Sequence, residues 1–150
     1  MESLVTIPSK GKLFGLPVPL LERRVVLIAT ALCFATVFIG THIPPSQPLT
    51  VSDTVGDKNL HLVAYLGIGF ALTYCLHCVF AWPSLSLTCL AFLLGALFGA
   101  FDELSQPYFD RCCDLNDWFA DLSGLGFGIS LFLFARSHLP ELCQARGLHR

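Results

Sequence analysis

Charged side chains are almost absent from a long central stretch of the chain. Between Val25 and Phe101 they occur at only three positions, all in one short loop, namely Asp53, Asp57 and Lys58. The rest of this stretch forms long apolar runs that are interrupted by prolines. A helix of about 20 apolar residues is long enough to cross the hydrocarbon core of a bilayer. The pattern therefore predicts a protein that spans a membrane several times.

Four membrane spans are predicted, and prolines mark two of their ends. Pro44 and Pro45 forbid further helix after the first span, and Pro83 closes the second. The third span follows after a loop of only a few residues, so spans two and three should be antiparallel neighbours. The fourth begins with polar residues and is the least hydrophobic. In chain order, the predicted spans are residues 25–43, 60–82, 85–101 and 116–135.

The predicted fold class is all-α, a four-helix transmembrane bundle. Residues 25–135 form the membrane domain, residues 1–24 an N-terminal arm and residues 136–150 a short tail. Composition excludes other classes, because 54% of the residues are hydrophobic and the mean hydropathy is +0.66. A water-soluble domain would lack polar side chains for its surface. With a formal net charge of −2 and no block of basic residues, nucleic acid is not an expected partner.

The basic residues predict the orientation of the bundle. Positive charge collects on the cytoplasmic side of membrane proteins. Most basic residues precede the first span or follow the fourth, so we expect both termini in the cytoplasm and the protein in the cytoplasmic membrane. The first span is too long for a cleaved signal peptide, so we expect it to be retained. The only basic residues in the two opposite loops are Lys58 and Arg111.

The seven cysteines do not predict a disulfide framework. Four of them fall in predicted spans and Cys143 lies in the cytoplasmic tail, so only Cys112 and Cys113 face outward. Adjacent cysteines form a disulfide only with strain, and we interpret this pair as small loop residues. Cys75 and Cys78 have the spacing of a metal motif, but no second ligand pair lies near them in the sequence. No metal is expected there.

Polar side chains recur on one face of three predicted helices, at the outer end of each. Lys58, His61 and Tyr65 are spaced by three and then four residues, which places them on one helix face. Small residues continue the same faces, including a Gly95–Gly99 pair that lets another helix approach closely. The simplest packing turns these faces inward. It gathers the following residues into one pocket: Lys58, His61, Tyr65, Asp102, Glu103, Gln106, Arg111, Asp117 and Asp121.

The acidic residues of this pocket leave its role open. A carboxylate in a span costs several kcal/mol unless it is paired, and Asp121 is too short to reach the membrane surface. With Asp114 of the same helix face included, two or three cations against five carboxylates leave room for a divalent cation or for a titrating pair. Three interpretations remain at this point: a salt-bridge network that only holds the helices together, a ligand site and a catalytic site.

Three short motifs in this chain resemble those of the VanZ-like membrane proteins. The resemblance covers roughly residues 25–135. Each motif is weak alone, but their order within a four-span protein is specific. The first consists of Asp57, Lys58, His61 and Tyr65; the second runs from Asp102 through Glu103 to Gln106; and the third consists of Arg111, Asp117, Asp121 and Gly124. The resemblance implies an envelope protein, linked in some relatives to reduced susceptibility to teicoplanin-type antibiotics, without an established activity.

Three functions follow from these observations. The first is an outward-facing site that binds or modifies an envelope lipid or a lipid-linked wall precursor. The second is a non-catalytic scaffold whose polar cluster is structural. The third is a small transporter, for which a homo-oligomer would have to supply the pathway.

Residue types suggest roles within the first of these functions. Glu103 or Asp102 would act as the base and His61 as the acid. Lys58 and Arg111 would hold a phosphate or carboxylate of the ligand. The remaining predicted ligand-binding residues are Tyr65, Gln106, Asp117 and Asp121.

Overall fold

The computed structural model of this chain describes residues 12–13, 16–43, 56–80 and 84–138. It is dominated by four helices that are long and apolar enough to cross a membrane. We name them α1 (Val18–Thr41), α2 (Asp57–Val79), α3 (Ser84–Ser105) and α4 (Leu115–His138). The prediction of an all-α bundle with four spans is confirmed.

A 3₁₀ helix and a pair of short strands accompany the four helices. A 3₁₀ helix, Gln106–Phe109, follows α3 directly and turns the chain toward α4. The residue that follows and caps it is Asp110, whose φ of 58° lies in the left-handed region. Ahead of α1, the two-residue strands Lys12–Leu13 and Leu16–Pro17 pair antiparallel. Neither element alters the order of the four helices.

Several helix ends differ from the predicted spans. α1 begins at Val18, so residues 18–24 of the predicted N-terminal arm are helical. α3 continues past Phe101 to Ser105 and carries Asp102 and Glu103 on its last turn. α4 continues to His138, beyond the predicted end at residue 135. Residues 1–11, the predicted end of the second span at 81–82 and the tail from residue 139 lie outside the described residues.

α2 and α4 form the closest helix pair, and glycines make this contact. A Cβ atom at Gly124 would collide with the carbonyl oxygen of Leu62, and a Cβ atom at Gly128 with that of Leu66. Gly69 makes the reciprocal close approach to the backbone of α4. Small residues are what allow two helix backbones to come this near inside a membrane. The predicted inward stripe of small residues on these two helices is therefore confirmed.

α1 and α3 pack against this central pair. The rings of Phe34 on α1 and Phe98 on α3 meet edge to face with their centroids 4.6 Å apart. On α3, Gly95 leaves room for the side chain of Leu125 from α4. Large apolar side chains such as Ile28 and Phe127 are about 60% exposed on the outer faces. Such faces suit contact with lipid rather than with water.

The helix ends define two sides of the bundle. Hydrogen bonds link the last turn of α1 to the last turn of α3, and the first turns of α2 to the first turns of α4. A further contact between His61 and Glu103 joins α2 to α3. The ends of α1 and α3 and the beginnings of α2 and α4 therefore lie together. We call this side of the bundle the polar end.

Candidate functional site

The polar end contains a set of polar side chains that the helices bury almost completely. His61 is 1% exposed, Asp102 0%, Glu103 3% and Asp121 1%. The hydroxyl-bearing Tyr65 and the amide-bearing Gln106 are buried beside them. We call these six residues the buried cluster: His61, Tyr65, Asp102, Glu103, Gln106 and Asp121. The sequence predicted that all six lie in one pocket, and the structure brings them together.

A histidine–aspartate pair joins α2 to α4 within the buried cluster. His61 Nδ1 lies 2.9 Å from Asp121 Oδ1 and 3.7 Å from Glu103 Oε1. The position on α4 that carries Asp121 faces α2 because Gly124, one turn further along, brings the two helices together. An imidazole held in this way has a fixed ring orientation, and its other nitrogen is available for chemistry.

Glu103 is fixed from two directions. Its Oε1 accepts a hydrogen bond from the side chain of Gln106 at 3.0 Å, and its Oε2 accepts one from the backbone N–H of Asp114 at 3.0 Å. Gln106 begins the 3₁₀ helix, so it lies one turn beyond Glu103 and on the same side. Glu103 therefore ties the loop before α4 to the end of α3.

Two residues at the end of α1 contact Asp102, and neither was predicted to belong to the site. The hydroxyl of Thr41 donates to Asp102 Oδ1 at 2.9 Å, and His42 Nδ1 lies 3.5 Å from the same oxygen. His42 Nε2 also lies 2.9 Å from Ser105 Oγ. Their position in the sequence could have indicated this contact, because Thr41 and His42 are the last polar residues before Pro44 and so lie at the outer end of the first span.

The two cations of the predicted pocket, Lys58 and Arg111, lie at its outer edge, which we call the mouth, and both are paired with carboxylates. Lys58 Nζ is 3.0 Å from Asp114 Oδ2 and 2.9 Å from Asp117 Oδ1, and the Lys58 side chain is 56% exposed. One terminal guanidinium nitrogen of Arg111 donates to both carboxylate oxygens of Asp57, at 2.9 and 2.8 Å. It also donates to the carbonyl oxygen of Ile43 at 3.2 Å. Neither cation enters the buried cluster.

Asp114 lies in the loop between the 3₁₀ helix and α4. Its Oδ1 accepts hydrogen bonds from the backbone N–H of Asn116 at 2.9 Å and from the Asn116 side chain at 2.8 Å. The backbone N–H of Asn116, followed by the Lys58 ammonium, lowers the pKa of the Asp114 carboxyl from its ordinary value. The pairing of Asp114 with Lys58 therefore persists to lower pH than it would with an ordinary aspartate.

Four buried polar atoms of the cluster have no hydrogen-bond partner among the described residues. They are His61 Nε2, Tyr65 Oη, Asp102 Oδ2 and Asp121 Oδ2. The Tyr65 hydroxyl lies close to the Asp102 carboxylate but does not meet hydrogen-bond geometry with it. Asp121 Oδ2 and the Tyr65 ring both lie beneath Gly99 of α3, where a Cβ atom would be 3.2 Å from each. Native proteins rarely leave such atoms unpaired, so each one requires an explanation.

Negative charge dominates the polar end, even after the mouth pairs are counted. Lys58 and Arg111 are paired with Asp57, Asp114 and Asp117. In the described part of the chain, the only groups able to carry positive charge that contact the three buried carboxylates are imidazoles. The carboxylates are Asp102, Glu103 and Asp121, and the imidazoles are His42 and His61. A proton or a cation is needed to balance this charge, because unpaired carboxylates are costly in a buried site.

The described residues contain two groups with the spacing of metal ligands. In the first, His61, Asp102 and Glu103 each offer one ligand atom, and these atoms all lie within 4.8 Å of one another. The second consists of Asp57, His61 and Asp117 and lies nearer to the mouth. No cysteine belongs to either group. Cys112 and Cys113 are exposed free thiols, and Cys143 lies outside the described residues.

Comparison with protein-family models, with curated proteins and with solved structures found no match for this chain. Its function therefore has to be inferred from the motifs, the position and the chemistry of the site itself.

Proposed function

We propose that this chain is a multi-pass protein of the cytoplasmic membrane, related to the VanZ-like proteins, whose buried cluster binds or modifies the headgroup of an envelope lipid or a lipid-linked wall component. The observation that carries the proposal is the set of four buried, unpartnered polar atoms on α2, α3 and α4. A network built only for stability would pair these atoms, since each unpaired one costs about 1–3 kcal/mol. Unpaired buried groups are instead typical of a site that binds a ligand.

The position of the cluster supports a headgroup as that ligand. It lies within about two turns of the helix ends, and in the proposed membrane-spanning arrangement this places it near the level where headgroups meet the hydrocarbon. The outer faces of the helices are apolar, so a lipid can approach the bundle from the membrane with its headgroup at this level. Under the proposed orientation, with both termini in the cytoplasm, the polar end faces outward.

The charge of the site restricts the ligand. The roles predicted for Lys58 and Arg111, holding a phosphate or carboxylate, require cations that are free, yet both are paired with carboxylates. The buried cluster repels an anion unless another cation accompanies it. Hydroxyl and amine groups of a headgroup can bind the carboxylates directly, whereas a phosphate needs added positive charge.

The same residues offer acid–base chemistry to a bound headgroup. Asp121 fixes His61 through Nδ1, which leaves Nε2 able to accept or donate a proton. Asp102 Oδ2 and the Tyr65 hydroxyl lie in the same interior. Glu103, by contrast, has both oxygens hydrogen-bonded, so we assign it a binding and positioning role in preference to that of the free base.

The scaffold alternative has one observation in its favour. Glu103, Gln106 and the Asp114 backbone form a fully bonded link between α3 and the loop before α4.

Transport has less support, because the other half of the described bundle offers little polar surface. Its buried hydroxyl, that of Thr73, bonds to the Gly69 carbonyl at 2.7 Å. Membrane lipids are thus the proposed partners.

Lipid retention by the purified protein tests the proposal. Native mass spectrometry can count the lipids that remain bound after incubation of the detergent-solubilised protein with a total polar lipid extract of the envelope. We expect Asp121→Asn to reduce retention about tenfold, which corresponds to about 1.4 kcal/mol of binding energy. The substitution keeps the shape of the side chain and its acceptor for His61 but removes the charge.

Asp110→Asn is the matched control. It removes one carboxylate at the same end of the bundle, but the Asp110 side chain is exposed and its left-handed backbone accepts asparagine. This variant should retain lipid like the unmodified protein. Equal retention by Asp121→Asn and Asp110→Asn would contradict the proposed site.

A further inference from the structure

We infer that the buried cluster is a binding site for one divalent transition-metal ion, with His61, Asp102 and Glu103 as its protein ligands and Asp121 as the residue that orients His61. The inference rests on the proposed function and deepens it, because it identifies the positive charge that the site needs to bind an anionic headgroup. The three proposed ligands lie on α2 and α3 and are almost completely buried.

The spacing of the donor atoms fits a single ion. Nitrogen and carboxylate oxygen ligands lie about 2.0–2.2 Å from Zn²⁺, so two ligands of one ion are separated by no more than about 4.4 Å. One atom from each of His61, Asp102 and Glu103 already lies within 4.8 Å of the other two. Binding through His61 Nε2 requires the imidazole and the two carboxylates to rotate, because the described contact of the ring with Glu103 is made by Nδ1, 3.7 Å from Oε1.

The unpartnered atoms independently indicate a ligand. His61 is 1% exposed and Asp102 is 0% exposed, yet His61 Nε2 and Asp102 Oδ2 have no hydrogen-bond partner among the described residues. A metal ion accepts a lone pair from both kinds of atom. The 2.9 Å contact of His61 Nδ1 with Asp121 Oδ1 is the arrangement that orients metal-binding histidines, in which a carboxylate holds the ring nitrogen that does not bind the metal.

Charge favours an ion over protons alone. Asp102, Glu103 and Asp121 carry three negative charges when ionised, and the paired cations at the mouth do not reach them. One divalent ion offsets two of these charges and binds the unpartnered atoms as well. A proton offsets one charge and satisfies a single pair of atoms.

The donor set determines the class of metal. One imidazole with two carboxylates suits borderline ions such as Zn²⁺, whereas Mg²⁺ and Ca²⁺ prefer sites made only of oxygen. With three protein ligands, Zn²⁺ keeps a further coordination position for an outside ligand. A phosphate or carboxylate of a lipid headgroup can occupy that position. The metal thereby supplies the anion affinity that Lys58 and Arg111 do not provide.

Metal binding by the purified full-length protein tests this inference. Protein stripped with EDTA is dialysed against Zn²⁺ and then analysed for bound metal by mass spectrometry, with calorimetry for affinity and Mg²⁺ as the comparison ion. We expect about one Zn²⁺ per chain and much weaker binding of Mg²⁺. Asp102→Asn and Glu103→Gln should each abolish the stoichiometric site, and Asp121→Asn should weaken it about 10- to 100-fold.

The controls separate a built site from surface adsorption. Asp110→Asn should bind Zn²⁺ like the unmodified protein, and every variant is first checked for helix content and a single elution peak. The inference is overturned if the unmodified protein binds no Zn²⁺, if Mg²⁺ binds equally well, or if Asp110→Asn loses as much metal as Asp102→Asn.

The outcomes also separate this inference from the proposed function. If no metal binds but Asp121→Asn still loses lipid, the metal site is wrong and the lipid site stands. If Zn²⁺ binds as expected but neither EDTA nor Asp121→Asn changes lipid retention, the metal site stands and the proposed function fails.

Discussion

Gly128→Ala is expected to remove most of the folded protein from the membrane, whereas Gly126→Ala leaves its amount unchanged. A Cβ atom at Gly128 would collide with the carbonyl oxygen of Leu66 and crowd the backbone of α2 at Phe70. A backbone cannot rotate away as a side chain does, so we expect a loss of about 3 kcal/mol or more in the free energy of unfolding. Unfolding in mixed micelles and the yield of folded protein both measure this effect.

Gly126 provides the matched control on the same helix. Apart from the neighbouring backbone of α4 itself, no atom of the described residues lies within 4 Å of a Cβ atom built at this position, so the extra methyl group meets open space. Alanine also has the higher helix propensity, by about 1 kcal/mol. If Gly128→Ala were as stable as Gly126→Ala, the close contact between α2 and α4 would be wrong.

Asp121→Leu is expected to lower the free energy of unfolding by about 3–5 kcal/mol, because it removes the buried partner of His61. Leucine offers no acceptor to His61 Nδ1. Because Nε2 already has no partner among the described residues, both ring nitrogens are then unpaired in a buried site. Unfolding of the purified variant in detergent measures the loss.

The double variant His61→Leu with Asp121→Leu completes the thermodynamic cycle. Replacing both members of a buried pair by apolar residues is often nearly neutral, so most of the lost stability should return. Lipid retention should not return with it, because neither residue can then bind a ligand. A double variant that is as unstable as the sum of the two single variants would show that the residues are not coupled.

The apolar runs predicted the fold because a bilayer imposes a simple rule. Every backbone polar group in hydrocarbon must be bonded internally, so a long uncharged segment becomes a helix. The rule is less informative about helix ends. α1 begins at Val18 and includes Arg23 and Arg24, because long cationic side chains can extend to the membrane surface while the backbone stays helical. The predicted start at residue 25 was chosen because it follows the last charged residue before the span, but the helix itself begins earlier, at Val18.

Helical spacing also predicted which side chains gather at the polar end. His61 and Tyr65 share a face of α2, and Asp117 and Asp121 share a face of α4, because residues four apart are neighbours on a helix. The glycine that follows Asp121 on this face indicated correctly that the face turns inward.

Partner choice within the polar end could not be predicted in the same way. Several carboxylates compete for each cation, and the selection of Asp57 by Arg111 depends on how the loop before α4 lies relative to the first turn of α2. Thr41 and His42 were missed because a threonine or a histidine near the end of a span is ordinary in any membrane protein. Their contact with Asp102 arises only when α1 packs against α3.

The unfolding temperature of Asp102→Asn, measured in detergent with EDTA present, tests most directly whether the buried cluster is a ligand site or a structural network. Asparagine keeps an acceptor for the Thr41 hydroxyl and removes one of three buried negative charges, while its amide can pair with the Tyr65 hydroxyl. A ligand site without its ligand holds excess charge, so the account predicts an unfolding temperature equal to or higher than that of the unmodified protein. A fall of several degrees, with Asp110→Asn unchanged, would show that the Asp102 charge stabilises the bundle and would contradict the account.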